Sequence, residues 1–246
     1  MRSARPASPR SPRNGLAAVP TEAVASLDER ERLLRVLAAA TFLIFFQAYM
    51  VAPLIPRLSA VFHVSAQTIG LIVPAYMVPY GVSILFYGLL SDRIGRRRIM
   101  LASLLAFILL TAATATAQSA SQLISWRPLT GIGASGDVPL ALALMGELFP
   151  FEQRGRPLGW LFGAMAGGMA FGSTFGALVE PLIGWRGVFL GTSAVGACVL
   201  TLLLPYRHLL GDAPQTRTPE SLSASSPPTA RSSRPGAGGA LTPTSS

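Results

Sequence analysis

The sequence predicts an all-α, polytopic membrane protein with six transmembrane helices, and three observations carry that expectation. Half of the 246 residues are apolar and only 13% are charged. The mean hydropathy of +0.48 lies far from the balance of a soluble domain. The apolar residues gather into six runs, each near the roughly 20 residues that span a bilayer core. Most of the charges lie between the runs.

In chain order, the first run covers 36–56 and is free of charge, as are the second (67–90) and the third (99–117). The fourth, 123–148, holds Arg127 and Asp137. The fifth covers 157–179 and the sixth 187–206, again without charge. The chain has no lysine. Of its 20 basic residues, all arginines, seventeen fall in segments that share one side if the N-terminus is inside. Arg57 and Arg186 alone fall in the opposite loops, and Arg127 lies within a run. Arginine retained on one face marks the cytoplasmic side. Both termini are therefore expected in the cytoplasm, with a bacterial inner (plasma) membrane as the location.

Residues 1–33 are rich in Arg, Ser, Pro and Ala, and residues 209–246 in Ser, Pro, Thr, Ala and Gly. Neither composition builds a core, so both are expected as disordered tails around a transmembrane domain over 34–208. No short apolar stretch with a cleavage site precedes Val36. Ser26 is placed to cap a short helix, "LDERERLLR", that leads into the membrane. The net charge of +9 does not point to nucleic acid, because the arginines are clustered between apolar runs instead of sharing one polar face. Cys198 is the one cysteine, and His63 and His208 are isolated. No internal disulfide, metal site or cofactor is expected.

The most specific string follows the second run: "GLLSDRIGRRR", residues 88–98. Physically it is a tight loop. Gly95 permits a turn that few residues tolerate, and Asp92 can accept from backbone N–H groups or pair with Arg93, Arg96 or Arg97. The string resembles the signature loop of the major facilitator superfamily at every fixed position. Arg127 in "SWRPLTGIGASGDVPLA" is similar to the arginine that this family carries in its fourth helix. "ELFPFEQRGRPLGW" and "GWRGVF" resemble its link between helices four and five and its entry into helix six. The resemblance covers about residues 36–206. It implies one half of a major-facilitator-type fold, a 3+3 inverted repeat of helices, and a secondary transporter working by alternating access. In such a carrier the Gly88, Asp92, Arg93, Gly95, Arg96 and Arg97 loop stabilises one state of a cytoplasmic gate, and Glu147 is expected to pair with Arg93 or Arg97 beneath it. Its partners would be the lipid bilayer and a small-molecule substrate.

An internal echo agrees with a repeat: Gly88-x-Leu-x-Asp92 with Gly95 and Arg97 recurs as Gly176-x-Leu-x-Glu180 with Gly184 and Arg186. By the expected topology the two copies end helices at opposite faces, as inverted repeats require.

"GIGASGD", residues 131–137, admits three readings. A dinucleotide fingerprint needs a strand before its first glycine, and here a spanning segment surrounds it. Gly-Ala-Ser-Gly also resembles the nucleophile motif of rhomboid intramembrane serine proteases. Ser135 would then need a histidine base, and the sixth run offers none before His208. The third reading, close helix packing, survives. It is strengthened by Gly159, Gly163 and Gly167, and by Gly168, Gly172 and Gly176, each set spaced by four.

Arg127 and Asp137 each cost roughly 2.5–3.5 kcal/mol at the bilayer centre, which makes function the default for both. Ten residues separate them, about 15 Å along a helix and about 80° around it, so each needs a partner elsewhere. They and Gln47 are the candidates for substrate or proton coupling. Gln47 stands where proton-coupled relatives often carry an acid, and Gly172-Ser173 where antiporters favour Gly-Pro; both weaken a drug/proton efflux reading. The superfamily normally has two six-helix halves, and this sequence holds one. Either a second half (a second copy or a separate chain) completes the carrier, or the chain is a truncated half without transport of its own.

Overall fold

The computed structural model describes residues 21–210, and the expected tails otherwise lie outside them. Helix α1, Thr21–Tyr49, takes in residues that the sequence assigned to the N-terminal tail. It passes through Ser26 without interruption, so no helix begins there. The reason is compositional: residues 21–49 contain neither glycine nor proline, and "LDERERLLR" is built, Asp28 apart, from strong helix formers.

A short 3-10 turn, Ala52–Leu54, carries Pro53 as its second residue, and α2, Ile55–Phe62, ends on His63 in the left-handed region at φ 52°. Helix α3, Ala66–Gly70, is capped by the Ser65 hydroxyl, which accepts from the Thr68 N–H, and runs directly into α4, Ile72–Ile94. Helix α5 covers Arg96–Thr114. The fourth crossing is two helices, α6, Ala120–Ala134, and α7, Asp137–Leu148, interrupted at Ser135 and Gly136. Helix α8, Gly155–Leu203, joins the fifth and sixth crossings, which the sequence separates. Its backbone leaves helical geometry at Gly184, where φ is 70°. A final 3-10 segment, Leu204–Leu210, follows.

Five helical stretches among the described residues are long and apolar enough to cross a membrane. The last contains two crossings hinged at Gly184, so the path crosses six times. The chain is all-α among the described residues and is an integral membrane protein.

The Gly184 hinge also tests the internal echo. Among the described residues the two glycines with positive φ are Gly95, at 101°, and Gly184, at 70°. They are the paired positions of the two copies, each joining the second helix of a triplet to the third. A sequence match becomes a match of backbone conformation, as two superposable triplets require.

Two clusters of buried side chains fill the bundle. The larger is built on Leu37, Ile44, Leu104, Phe107, Leu140 and Met145. The smaller, towards the Gly184 end, gathers Met50, Leu54, Leu58, Ile72, Trp185 and Phe189. Helix α4 contributes least: Val78, Val82, Leu85, Phe86 and Leu89 are all exposed.

Candidate functional site

The break in the fourth crossing decides where its two charges go. Ser135 and Gly136 interrupt the helix, and Asp137 opens α7. The Ser135 hydroxyl donates to the Ile132 carbonyl at 2.8 Å, and the Tyr87 hydroxyl donates to the same oxygen at 3.0 Å. The Ser103 hydroxyl donates to the Gly133 carbonyl at 2.5 Å. Ser135 and Gly136 keep right-handed helical dihedrals, so the interruption is a locally tightened turn, and the Tyr87 and Ser103 hydroxyls reach its carbonyls from neighbouring helices. A Cβ on Gly133 would press on Ala106 and Phe107 of α5, and one on Gly136 on Ser103 and the Tyr87 ring. "GIGASGD" is therefore a packing element with a break in it.

Asp137 is buried, 3% exposed. The Thr41 hydroxyl of α1 donates to its Oδ2 at 2.7 Å, and both groups lie inside the bundle. Among the described residues no cation pairs with this carboxylate.

Arg127 is 0% exposed, so it faces neighbouring helices and not an open cavity. Its Nε donates to the Ile72 carbonyl at 3.1 Å, and its guanidinium lies over the Tyr76 ring, 4.4 Å from the centroid. Tyr76 stacks in turn on Tyr80, with centroids 5.8 Å apart and ring planes at 13°. Nη1 and Nη2 of Arg127, the Tyr76 and Tyr80 hydroxyls and both amide atoms of Gln47 are enclosed without a hydrogen-bond partner. Thr41, Tyr76 and Tyr80 were not singled out in the sequence. The two tyrosines carry a readable signal, since a spacing of four puts them on one helix face; Thr41, one hydroxyl in an apolar run, carries none.

At the Gly95 end, Gly95 ends α4 and opens α5 in a conformation that favours glycine. Glu147 forms an ion pair with Arg96, the arginine next to the expected Arg97. Asp92 is exposed. The same end is tied by α1: Arg30 donates to the Leu148 carbonyl at 3.1 Å, and Glu31 accepts from Arg156 at 2.8 Å. At the other end Arg186 donates to the carbonyls of Ala115 and Ala117 at 3.1 and 2.8 Å, and Arg57 pairs with Glu180 at 3.4 Å.

The two glycine rows of the fifth crossing differ. Added Cβ atoms on Gly168, Gly172 and Gly176 would collide with the carbonyls of Phe42 and Phe46 in α1 and of Met50 just beyond its end. Gly159 and Gly163 meet nothing, and Gly167 meets only the Phe42 ring. That second row floors a groove of about 720 Å³ whose walls include Arg35, Ala38, Phe42, Arg156 and Trp160. Further along the same helices, Phe42, Phe46, Phe171 and Phe175 line another groove of about 390 Å³. The protease arrangement is absent: Ser135 bonds to its own helix, while His208 lies 3.6 Å from Glu29 and bonds the Pro205 carbonyl.

Comparison with known proteins agrees with this geometry. The family model for the Major Facilitator Superfamily matches residues 37–242. Multidrug resistance protein 3 of Bacillus subtilis is 35% identical over 132 residues, 54% of this chain and 26% of that protein. A chloramphenicol resistance protein of Pseudomonas aeruginosa is 30% identical over 151 residues, 60% of this chain and 36% of the relative. A niacin transporter of Acinetobacter baylyi is 31% identical over 147 residues, 55% and 31% of the two chains. Each match takes in less than two fifths of the relative's length. A solved bacterial homolog of the human lysosomal transporter Spinster has the same fold, with a TM-score of 0.67 at 19% identity over 78% of this chain and 47% of that one. A proton:xylose symporter gives 0.63 at 18% over 73% and 45%. With the signature loop, the paired glycine hinges and the family match in agreement, the chain belongs to the major facilitator superfamily.

Proposed function

We propose that this chain forms one wall of a secondary carrier that moves a small, largely apolar solute outward across a bacterial plasma membrane in exchange for protons. Its Gly95 end faces the cytoplasm. The observation that carries this reading is the buried Asp137 carboxylate, held by the Thr41 hydroxyl at a break in a crossing helix. An ionisable group buried within a crossing helix is by default a functional one, and a carboxylate there suits a coupling proton. The aromatic grooves beside α1 supply a wall for an apolar solute, and two relatives named for drug resistance favour efflux. Gln47 and Arg127 act from within the wall, and Asp92 with Arg93, Arg96, Arg97 and the Arg96–Glu147 pair belongs to the gate. The Gly168 row holds α1 still while the Gly159 row stays free to slide.

The experiment is solute-driven proton flux in vesicles that hold the full chain and an internal pH dye, with ethidium as the probe. Ethidium efflux should acidify the side that protons enter, and Asp137→Asn should abolish that signal while the protein stays folded. A signal that persists in Asp137→Asn defeats the proton role.

A second reading has its own observation. The apolar face of α4, from Val78 to Leu89, lies open. It supports a truncated half without transport of its own, which acts only by association with another membrane protein. Crosslinking between cysteines on that face, with flux appearing only in crosslink-competent preparations, separates the readings.

A further inference from the structure

A buried guanidinium without a counter-charge is among the costliest features a membrane bundle can carry. Arg127 is 0% exposed, and among the described residues no carboxylate reaches it. One backbone carbonyl and one aromatic face account for its contacts. Two of its three nitrogens and the Tyr76 hydroxyl, on the very ring it covers, are enclosed and unpartnered. The Tyr80 hydroxyl, on the ring stacked behind, is unpartnered too.

We infer that Arg127 and the Tyr76 hydroxyl bind a small inorganic anion of chloride size. Three arguments select that class. The guanidinium edge offers donors only, and tyrosine hydroxyls can donate, so an acceptor is required. A neutral water would satisfy hydrogen bonds but leave the positive charge uncompensated. An organic anion is too large, because α6 lies against α4 closely enough that a Cβ on Gly131 would collide with the Tyr76 carbonyl. Those helices cannot part without losing that contact, whereas a monatomic ion needs only side-chain motion. The inference stands on the Arg127 cluster alone and does not depend on proton coupling at Asp137.

The test is thermal unfolding of the purified full chain in detergent at constant ionic strength, with gluconate replaced stepwise by chloride or bromide. A saturating rise in melting temperature with both halides, and none with gluconate, is the expected result. Asp137→Asn should keep that response, which separates this idea from the coupling reading. Tyr76→Phe should fold and raise the half-maximal halide concentration about tenfold, the loss of one charge-assisted hydrogen bond. Arg127→Leu, if it folds, should show no halide response at all. Equal melting temperatures in gluconate and chloride overturn the inference. So does a Tyr76→Phe protein that is more stable than the parent at every halide concentration, since removing a truly orphaned hydroxyl relieves a penalty.

Discussion

Gly95 and Gly184 share positive backbone φ, at 101° and 70°, at the matching hinge of each three-helix repeat. The two hinges lie at opposite ends of the bundle, one where α4 passes to α5 and one where the fifth crossing passes to the sixth. A Cβ at Gly184 would touch nothing within 4 Å, so backbone conformation is what asks for glycine there. Gly184→Ala and Gly95→Ala are each expected to cost roughly 1–3 kcal/mol, since positive φ with extended ψ is open to almost no residue but glycine. Chemical unfolding in mixed micelles reads this directly; a neutral result at Gly184 would show that the hinge relaxes to ordinary helix.

Thr41→Val removes the hydroxyl that donates to Asp137 while keeping its shape. Leaving a buried carboxylate unsatisfied should destabilise the fold by about 1–3 kcal/mol. Thr41→Ser should restore most of it. The comparison of the two variants in one unfolding assay checks that the bond matters, and not the volume.

The glycine rows should separate cleanly. Gly172→Val drives a side chain into the Phe46 carbonyl, and overpacking of this kind costs about 1–3 kcal/mol or displaces the helix. Gly163→Ala meets open space and should leave the melting temperature within error. Equal damage from both would mean that the fifth crossing packs on a different face.

The Arg96–Glu147 pair is partly exposed, with side chains 28% and 45% accessible. Glu147→Gln should therefore cost less than about 1 kcal/mol of fold stability. If the pair serves the gate, the variant should still shift cysteine accessibility in the loop at 88–98. Unchanged accessibility would reduce the pair to surface decoration.

Sidedness is open to the same chemistry. In a Cys198→Ser background, a cysteine at Asp92 should react with an impermeant reagent from the cytoplasmic face, and one at Gln118 from the opposite face.

Much of the architecture was legible because lipid imposes a simple rule: apolar runs of bilayer length must be helices. The loop at 88–98 and the hinge echo were readable for a related reason, since a tight turn between spanning helices leaves a glycine that nothing else replaces. Other features were hidden. The break at Ser135 and Gly136 depends on Tyr87 and Ser103 reaching over from other helices, and no local pattern announces that. Arg127 was legible as a charge in need of a partner, but the partners themselves, Tyr76 and the Ile72 carbonyl, were not. That Arg96 pairs with Glu147 was hidden as well, because which arginine faces α7 depends on how α5 is rotated, and adjacent arginines differ by about 100° in direction.

Helix α1 has one more consequence. At 29 residues it is about 43 Å long, well beyond a hydrocarbon core of about 30 Å, and no proline or glycine softens it. The same stiff rod carries Glu29, Arg30 and Glu31 at one end and Thr41 deep inside. A displacement of the Arg30 and Glu31 contacts would therefore reach the Thr41–Asp137 bond along one uninterrupted helix.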